Sequence, residues 1–498
     1  MNLFVDNLPV TNTAASGEDG VTAIHPAYAR QRRMIDLPRT LMGGAWAMRE
    51  AGERYLPRRA AEDFADYRAR LNSAALDNYF ARTVDYLAGQ VFQKPVDYLP
   101  AEGPCPYDQE FFKAFKENVD LAGTNLSSFA LDFFRHAVID GLCFLLVDYS
   151  RVEAPEEAEG HGDIRTRAVD RSMGWRPYFV AVRAGSVLDA WLETVDGQRR
   201  LKHFRYEEIV ERATDGDGLA REQVRRVRAF WPGRWQVWET PLKGGSPKLT
   251  AEGKTSLDYI PVFWFRPGTA GAEAVTADPP LMDLAEMNRV HWNAFSDHQG
   301  LMRWERSPVW FSVNMVGEDG ETLPFGPNRL LDTRARDGEP VPDLRSVGID
   351  HQSSLNSLKD LESLEKRMEN DGLTVALSPA GRATATEVSA VANASDSQLK
   401  GWCVGLQDTL ENALAAAADY DGDSDGPAVF VNTSFRRTFD VERAAFIQNA
   451  RDQGDLSWDS YFAEIQKMGA VSDEVDMERE RQRLKAEYPY RDDPEPSI

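Results

Sequence analysis

The strongest constraint on this chain is a run of helical periodicity that opens at Thr384-Ala-Thr-Glu387 and continues to about Asp419. The opening fits a capping box, in which a Thr hydroxyl satisfies a free helix amide and the Glu carboxylate reaches back. Val388, Val391, Ser395, Leu399, Trp402, Leu406, Leu410 and Leu414 then follow at helical spacing. Some 35 residues predict a rod about 50 Å long, beyond ordinary globular helices. Gly401 and Gly405, with small Ala and Ser neighbours, permit close approach or a bend near mid-helix.

Two shorter striped helices precede it. After Pro279-Pro280, the residues Leu281, Leu284, Met287, His291, Phe295, His298 and Met302 lie on one stripe that ends near Trp304, and Ser307-Pro308 stops it. Residues 306–350 predict a compact β insert, with a strand at Val309 to Val316, a second at Arg329 to Asp332, and turns at Gly317 to Gly320 and Asp337-Gly338. So small a β unit must find its packing partner elsewhere, in a neighbouring subunit or another protein. Leu355, Leu358, Leu361, Leu364 and Met368 make the next stripe. Gly372 to Gly381 is then a small-residue loop with one nearby cation, Arg382.

The N-terminal half divides in two. His25 to Leu99 reads as helical, with Phe80, Val84, Leu87 and Val91 on one stripe until Lys94-Pro95 breaks it. Two more helices are expected at Phe111 to Asn118 and Ser127 to Asp140, then a buried strand from Gly141 to Asp148. An acidic loop, Val152 to Asp170, leads to successive strands at Tyr178 to Arg183, Val187 to Thr194, Leu201 to Arg212, Gln223 to Trp231 and Arg234 to Thr240. Tyr259 to Phe265 is expected to close that set. A strand at Val429 to Phe435 and helices at Val441 to Gln453, Trp458 to Met468 and Asp473 to Tyr488 complete the tail. The fold class is α+β, and no fixed-period repeat supports a solenoid or propeller.

Composition excludes several classes. A chain of 498 residues calls for more than one packed region. The apolar runs, such as Leu142 to Val147, fall far short of the roughly 20 residues a membrane helix needs. Asp6, Glu18 and Asp19 stand where a signal peptide carries positive charge and an apolar core, so the first residues read as a flexible arm. The three cysteines Cys105, Cys143 and Cys403 form no CxxC pair, which supports neither a disulfide framework nor a cysteine zinc site. The formal charge of −23 argues against a static grip on nucleic acid. It does not exclude contact with moving DNA, since a wall that repels phosphate lets a duplex slide where a basic wall would grip it.

Candidate chemistry is sparse. His291 and His298 share a helix face, yet the HExxH pattern of zinc enzymes is absent, and packed or interfacial histidines are the expected reading. Asp421, Asp423 and Asp425 match the first half of an EF-hand loop. Asn432 replaces its bidentate Glu and a strand replaces its exit helix, so a solvated acidic turn is preferred. Gly253-Lys254-Thr255 lacks the first glycine of a phosphate-binding loop, where Lys248 stands. No GxSxG nucleophile elbow occurs. The acidic last helix makes a poor DNA reader, and the aromatic clusters at Phe230 to Trp238 and Phe263 to Phe265 read as core or subunit contact. No cofactor, catalytic residue or metal is expected.

Taken in order, several blocks resemble a family of tailed-bacteriophage and prophage proteins assigned as portal proteins. They are His25-Pro-Ala-Tyr28, Gly52-Glu-Arg-Tyr-Leu-Pro57, Arg82-Thr-Val-Asp85 with Gly89, Phe92-Gln-Lys-Pro95, Arg176-Pro-Tyr178, Ile260-Pro261 with Phe263, Pro280-Leu-Met-Asp-Leu-Ala285 with Asn288, Thr384-Ala-Thr-Glu387 and Gly454-Asp-Leu-Ser457. The resemblance covers roughly residues 25 to 488 and is specific through the order of its blocks. It implies a flexible arm at 1–24, a wing at 25–278, stem helices at 279–305 and 351–371, a clip at 306–350, a tunnel loop at 372–383, a tunnel helix at 384–420 and a crown at 421–498. The acidic turn at Asp421 to Gly426 and the N-terminal arm have no place in it.

What the resemblance implies for function is a homo-oligomeric ring of about twelve subunits at one capsid vertex of the virion, assembled in the host cytoplasm. Double-stranded DNA would pass through it on packaging and ejection. In such a ring the formal charge sums to on the order of −276, which discourages sticking. Leu373, Thr374, Val375, Ser378, Pro379 and Arg382 would line the channel. The clip, with Trp310, Phe311, Phe325, Arg329, Arg334 and Arg336, would dock the packaging motor (terminase) and then head–tail adaptor proteins, while major capsid and scaffolding proteins surround the ring. No membrane is involved. Another virion structural or adaptor subunit is the alternative, and a metal-dependent hydrolase on His291 and His298 stands third.

Overall fold

The computed structural model describes the chain outside residues 1–19, 101–106, 151–173, 196, 214–216, 218, 243, 272–274, 307–308, 314–342, 348–350, 377–384, 424, 434, 436–440, 468–470, 472–474, 476 and 488–498. A helical layer comes first: α1 (Pro26–Met34), α2 (Asp36–Met42), α3 (Gly44–Ala51), α4 (Phe64–Ser73) and α5 (Tyr79–Val91). Side-chain caps set several of these starts. Asp63 accepts from the Asp66 amide at α4 and Asn78 from the Ala81 amide at α5, each satisfying a donor the helix cannot. After the short strand β1 (Asp97–Tyr98) come α6 (Gln109–Glu117) and α7 (Leu126–Asp140), the latter capped by Asn125.

Gly141 ends α7 at φ 80°, and a Cβ there would come within 3.0 Å of the Ala277 carbonyl oxygen, so the tight approach of these two segments needs glycine. The chain then enters β2 (Cys143–Tyr149), which pairs antiparallel with β3 (Pro177–Arg183). A meander follows, β4 (Val187–Val195), β5 (Gln198–Ala213), β6 (Arg221–Trp231), β7 (Arg234–Pro241) and β8 (Lys248–Lys254), forming a five-stranded antiparallel sheet in sequence order.

The next strand, β9 (Val262–Phe265), does not close that meander as expected from its position in the chain. It pairs with the free edge of β2, Cys143 opposite Phe265 and Leu146 opposite Val262, giving a separate sheet ordered β3, β2, β9. The reason is non-local: in that sheet Phe265 stacks beside Phe134 of α7, with ring centroids 5.8 Å apart. β2 is therefore buried on both faces. Cys143, Leu145 and Val147 face the helices, whereas Leu142, Phe144 and Leu146 face Phe204, Tyr206 and Phe230 of the five-stranded sheet. Its continuous apolar sequence follows from that double burial.

Beyond the small pair β10 (Thr269–Ala270) and β11 (Ala277–Asp278) the chain turns into α8 (Met282–Arg306), β12 (Val309–Val313), β13 (Asp343–Val347), α9 (His351–Ala376) and α10 (Ala385–Asp421). The tail holds β14 (Val429–Phe430), α11 (Val441–Asp452), α12 (Trp458–Lys467) and α13 (Met477–Glu487). β14 is shorter than the strand expected at Val429 to Phe435, because its partner β1 offers two residues. The main core joins α5, α7, α8, α9 and α10 to the inner face of β2 through Phe80, Leu87, Phe133, Trp292, Met368, Leu406 and Leu410. Each such buried side chain contributes roughly 1.5–3 kcal/mol. The protein is a mixed helix and sheet fold. Among the described residues no helix is long and apolar enough to cross a membrane.

Candidate functional site

The distinctive construction is the segment from α8 to α10. α8 and α9 run antiparallel, and a ladder of polar contacts records their register. His291 Nε2 lies 3.1 Å from Glu365 Oε1, His298 Nδ1 lies 3.2 Å from Ser357 Oγ, and His351 Nδ1 lies 2.5 Å from Glu305 Oε1. On α8 these positions recur every seven residues, the repeat that keeps one face of a helix against its neighbour. Leu361 buries between the rungs on α9, with Met368 just beyond the last one, and Trp292 and Ser296 bury between the rungs on α8. His291 is thus a packing group of the helix pair while His351 is exposed at its end, and each of the three histidines has an oxygen partner across the seam. His291 stacks on Phe295 and meets the Tyr79 ring edge-on.

At the far end of the pair lies a two-stranded antiparallel ribbon, β12 with β13. Trp310 stands opposite Ser346 and Phe311 opposite Arg345. The second strand is Asp343–Val347, whereas the expected strand at Arg329 to Asp332 lies outside the described residues, together with Phe325, Arg329, Arg334 and Arg336. At the other end α9 continues to Ala376, five residues past the expected stem boundary at 371, and α10 starts at Ala385. Leu373, Thr374 and Val375 therefore stand on the last turns of a helix and not in a loop, and Ser378, Pro379 and Arg382 lie outside the described residues.

α10 spans 37 residues without interruption, about 55 Å of rod. Its second half is seated on β9, β2 and β3 by Trp402, Leu406, Leu410 and Leu414. Gly405 is the point of closest approach, where a Cβ would touch the Phe265 ring at 3.6 Å, while Gly401 faces open space. The Thr409 hydroxyl bonds to the Gly405 carbonyl at 2.7 Å.

The acidic turn after α10 is a helix stop. Gly422 takes φ 76°, its amide donates to the Asp419 carbonyl at 3.1 Å, and the Asp423 amide donates to the Ala418 carbonyl at 2.9 Å. That is the paired 5→2 and 6→1 closure of a Schellman motif, for which glycine is the favoured residue. Asp423 Oδ2 also accepts from the Asp108 amide just ahead of α6, and Asp425 Oδ1 accepts from the Gly426 amide. The Asp-Gly-Asp pattern at Asp421 to Asp423 thus terminates the long helix. Among the described residues no group of three or more His, Cys, Asp or Glu could hold a metal ion.

A buried charge cluster escaped the sequence reading. Asp140, with a fully buried carboxylate, accepts from Arg39 Nε at 2.8 Å and from Arg183 Nε at 3.1 Å, tying α2, α7 and β3 together. Burial pushes its carboxyl up, but Arg39 and then Arg183 outweigh burial and hold it below its ordinary value. One turn earlier, His136 is lowered to about 4 by burial and then by Arg183. The available signal was a lone carboxylate inside the apolar stretch from Phe133 to Val147.

The family described as a domain of unknown function (DUF4055) matches residues 280–421. This span is α8 through α10. A comparison with curated proteins returns no match. Among solved structures, the chain is similar to one from the neck of an empty GTA particle computed with C6 symmetry, at 11% identity and a TM-score of 0.36, covering 85% of this chain and 94% of that one. It is similar to a chain from the neck of the native GTA particle computed with C12 symmetry at 11% identity and 0.36, covering 78% and 89%. A third similarity is to the virion of the native gene transfer agent (GTA) particle, at 10% identity and 0.33, covering 81% and 89%.

Proposed function

We propose that this chain is a portal protein, a subunit of the ring-shaped channel through which double-stranded DNA enters and leaves a phage capsid. The observation that carries the reading is the α8–α9 pair, two antiparallel helices of 25 and 26 residues that lead out to a two-stranded ribbon and back, followed directly by the 37-residue α10. In this reading α8 and α9 are the stem, the β12–β13 ribbon belongs to the clip, and α10 is the tunnel helix. The wing precedes them and the crown follows. Val290, Trp304, Leu355 and Leu358 are exposed apolar side chains on the stem pair, which a neighbouring copy would cover.

The role is structural, with no catalysis assigned to any residue. The partners under this proposal are further copies of the chain, moving DNA, the terminase, head–tail adaptors, and capsid and scaffolding proteins; the place is the portal vertex of the virion. Mass measurement and particle images of the purified full chain test the reading. A closed ring with a central channel is the expected result, and a stable monomer at high concentration would sink it.

A further inference from the structure

A second cluster lies where α10 ends, at the seam between the two sheets. Arg228 of β6 donates to Asp148 Oδ2 of β2 at 2.5 Å and, through its other terminal nitrogen, to the Tyr206 hydroxyl of β5 at 3.2 Å. The Tyr178 hydroxyl of β3 donates to the same Asp148 oxygen at 2.8 Å. Both charged side chains are mostly buried. From the helix side, the Tyr420 ring of α10 packs on Tyr149, centroids 5.5 Å apart, and Asp419 Oδ2 accepts from the Tyr259 hydroxyl at 2.5 Å. Burial, then the Asp148 charge, raises the Tyr420 phenol, with Arg228 opposing, so all three groups share one electrostatic neighbourhood.

The arrangement is asymmetric in a useful way. Elsewhere the two sheets meet through apolar contacts such as Phe144 on Phe204, ring centroids 5.2 Å apart. Such contacts are non-directional and tolerate small slips. A shared carboxylate oxygen with two donors in low dielectric is directional, and it is either made or broken. α10 packs on β9, β2 and β3. Arg228 reaches from the five-stranded sheet to Asp148, next in the chain to the Tyr149 on which the Tyr420 ring of that helix packs.

We propose that Asp148 and Arg228 form a latch that couples the C-terminal end of α10 to the five-stranded sheet, so that displacement of either element is felt by the other. Arg228 and Asp148 act as positioning residues, and Tyr420 is the helix group that reads them. The inference stands on this geometry whether or not the chain forms a ring. A coupling claim needs a two-state element that both sides bias. Here that element is the Asp148 contact, closed or open.

Hydrogen exchange on the full-length chain tests it. Arg228→Met should speed exchange of the amides at 414–420 by about fivefold or more, together with those around 204–206. Arg226→Met is the control: two residues along the same strand, Arg226 bonds Glu239 and Glu208 within the sheet. It should disturb the sheet and leave 414–420 unchanged. Asp148→Asn should reproduce Arg228→Met, and combining the two should add little, since one contact is removed once. If Arg228→Met does not fold, Arg228→Lys, which keeps the charge but not the fork to Tyr206, supplies the same readout at smaller amplitude. Unchanged exchange at 414–420 in every Arg228 variant overturns the latch, as does an equal change in the Arg226 control.

Discussion

His291 on α8 meets Glu365 on α9 across the seam at 3.1 Å, and the imidazole is 1% exposed. Because an ionised carboxylate only accepts, Nε2–H is the donor. The other ring nitrogen, Nδ1, is buried with no hydrogen-bond partner among the described residues. Among the described residues, the polar satisfaction of this side chain rests on one residue of the neighbouring helix, 74 positions away.

Glu365→Ala should accordingly destabilise the chain by about 1–3 kcal/mol, the cost of leaving a buried donor unmade. Denaturant unfolding at neutral pH measures it. Replacing the pair together, His291→Leu with Glu365→Leu, should recover part of that loss, since no orphaned polar group then remains. A double variant weaker than both singles would contradict this account.

Asp140 offers the largest single effect. Truncating it to Ala removes the carboxylate that Arg39 and Arg183 share, and a loss of about 3–5 kcal/mol is expected. Lys202→Met, which breaks an exposed pair with Glu193, should change stability by less than about 1 kcal/mol. Comparing the two in urea separates the buried pair from the exposed one.

The pH dependence follows from His136, whose folded value of about 4 lies below the ordinary 6.5. Between those values the unfolded chain binds a proton that the folded chain refuses, so stability falls as pH drops from about 6.5 to about 4. The full contribution is about 3 kcal/mol, at 1.36 kcal/mol per unit. His136→Phe should flatten that part of the curve, as read by thermal unfolding at successive pH values. An unchanged slope would show that His136 is not the group responsible.

At the end of α10, Gly422→Ala should cost about 1–2 kcal/mol, because a Cβ disfavours the left-handed conformation at φ 76°. Gly422→Asn should cost less, since Asn tolerates that region. Both losses should be the same with added calcium or with a chelator, because the turn acts as a cap. A stabilisation by calcium that disappears in Asp423→Ala would restore the metal reading.

Much of the frame was legible in the residues. The long helix declared itself through Val388 to Leu414, and β2 through an apolar run too short for a helix. These signals are local: a helix stripe or a strand run is generated by neighbours within a few positions, so it survives without knowledge of the rest of the chain. The order of α8, ribbon, α9 and α10 followed from them, whereas the portal reading came from the resemblance of the ordered sequence blocks.

Pairing was decided by the tertiary structure. Nothing near Val262 to Phe265 announces that its partner is β2, because strand pairing is a choice among distant edges settled by what each face can bury. His291 and His298 lie on one stripe in the sequence, yet Glu365 and Ser357 become their partners through the antiparallel return of α9. Asp421 to Asp425 match half a calcium loop and were expected to be a solvated acidic turn, but that they close the long helix shows only once the carbonyls of Ala418 and Asp419 accept from the turn's amides. Periodicity is a property of a segment, whereas a hydrogen-bond partner or a sheet edge is a property of two segments. The second becomes definite when burial brings them together.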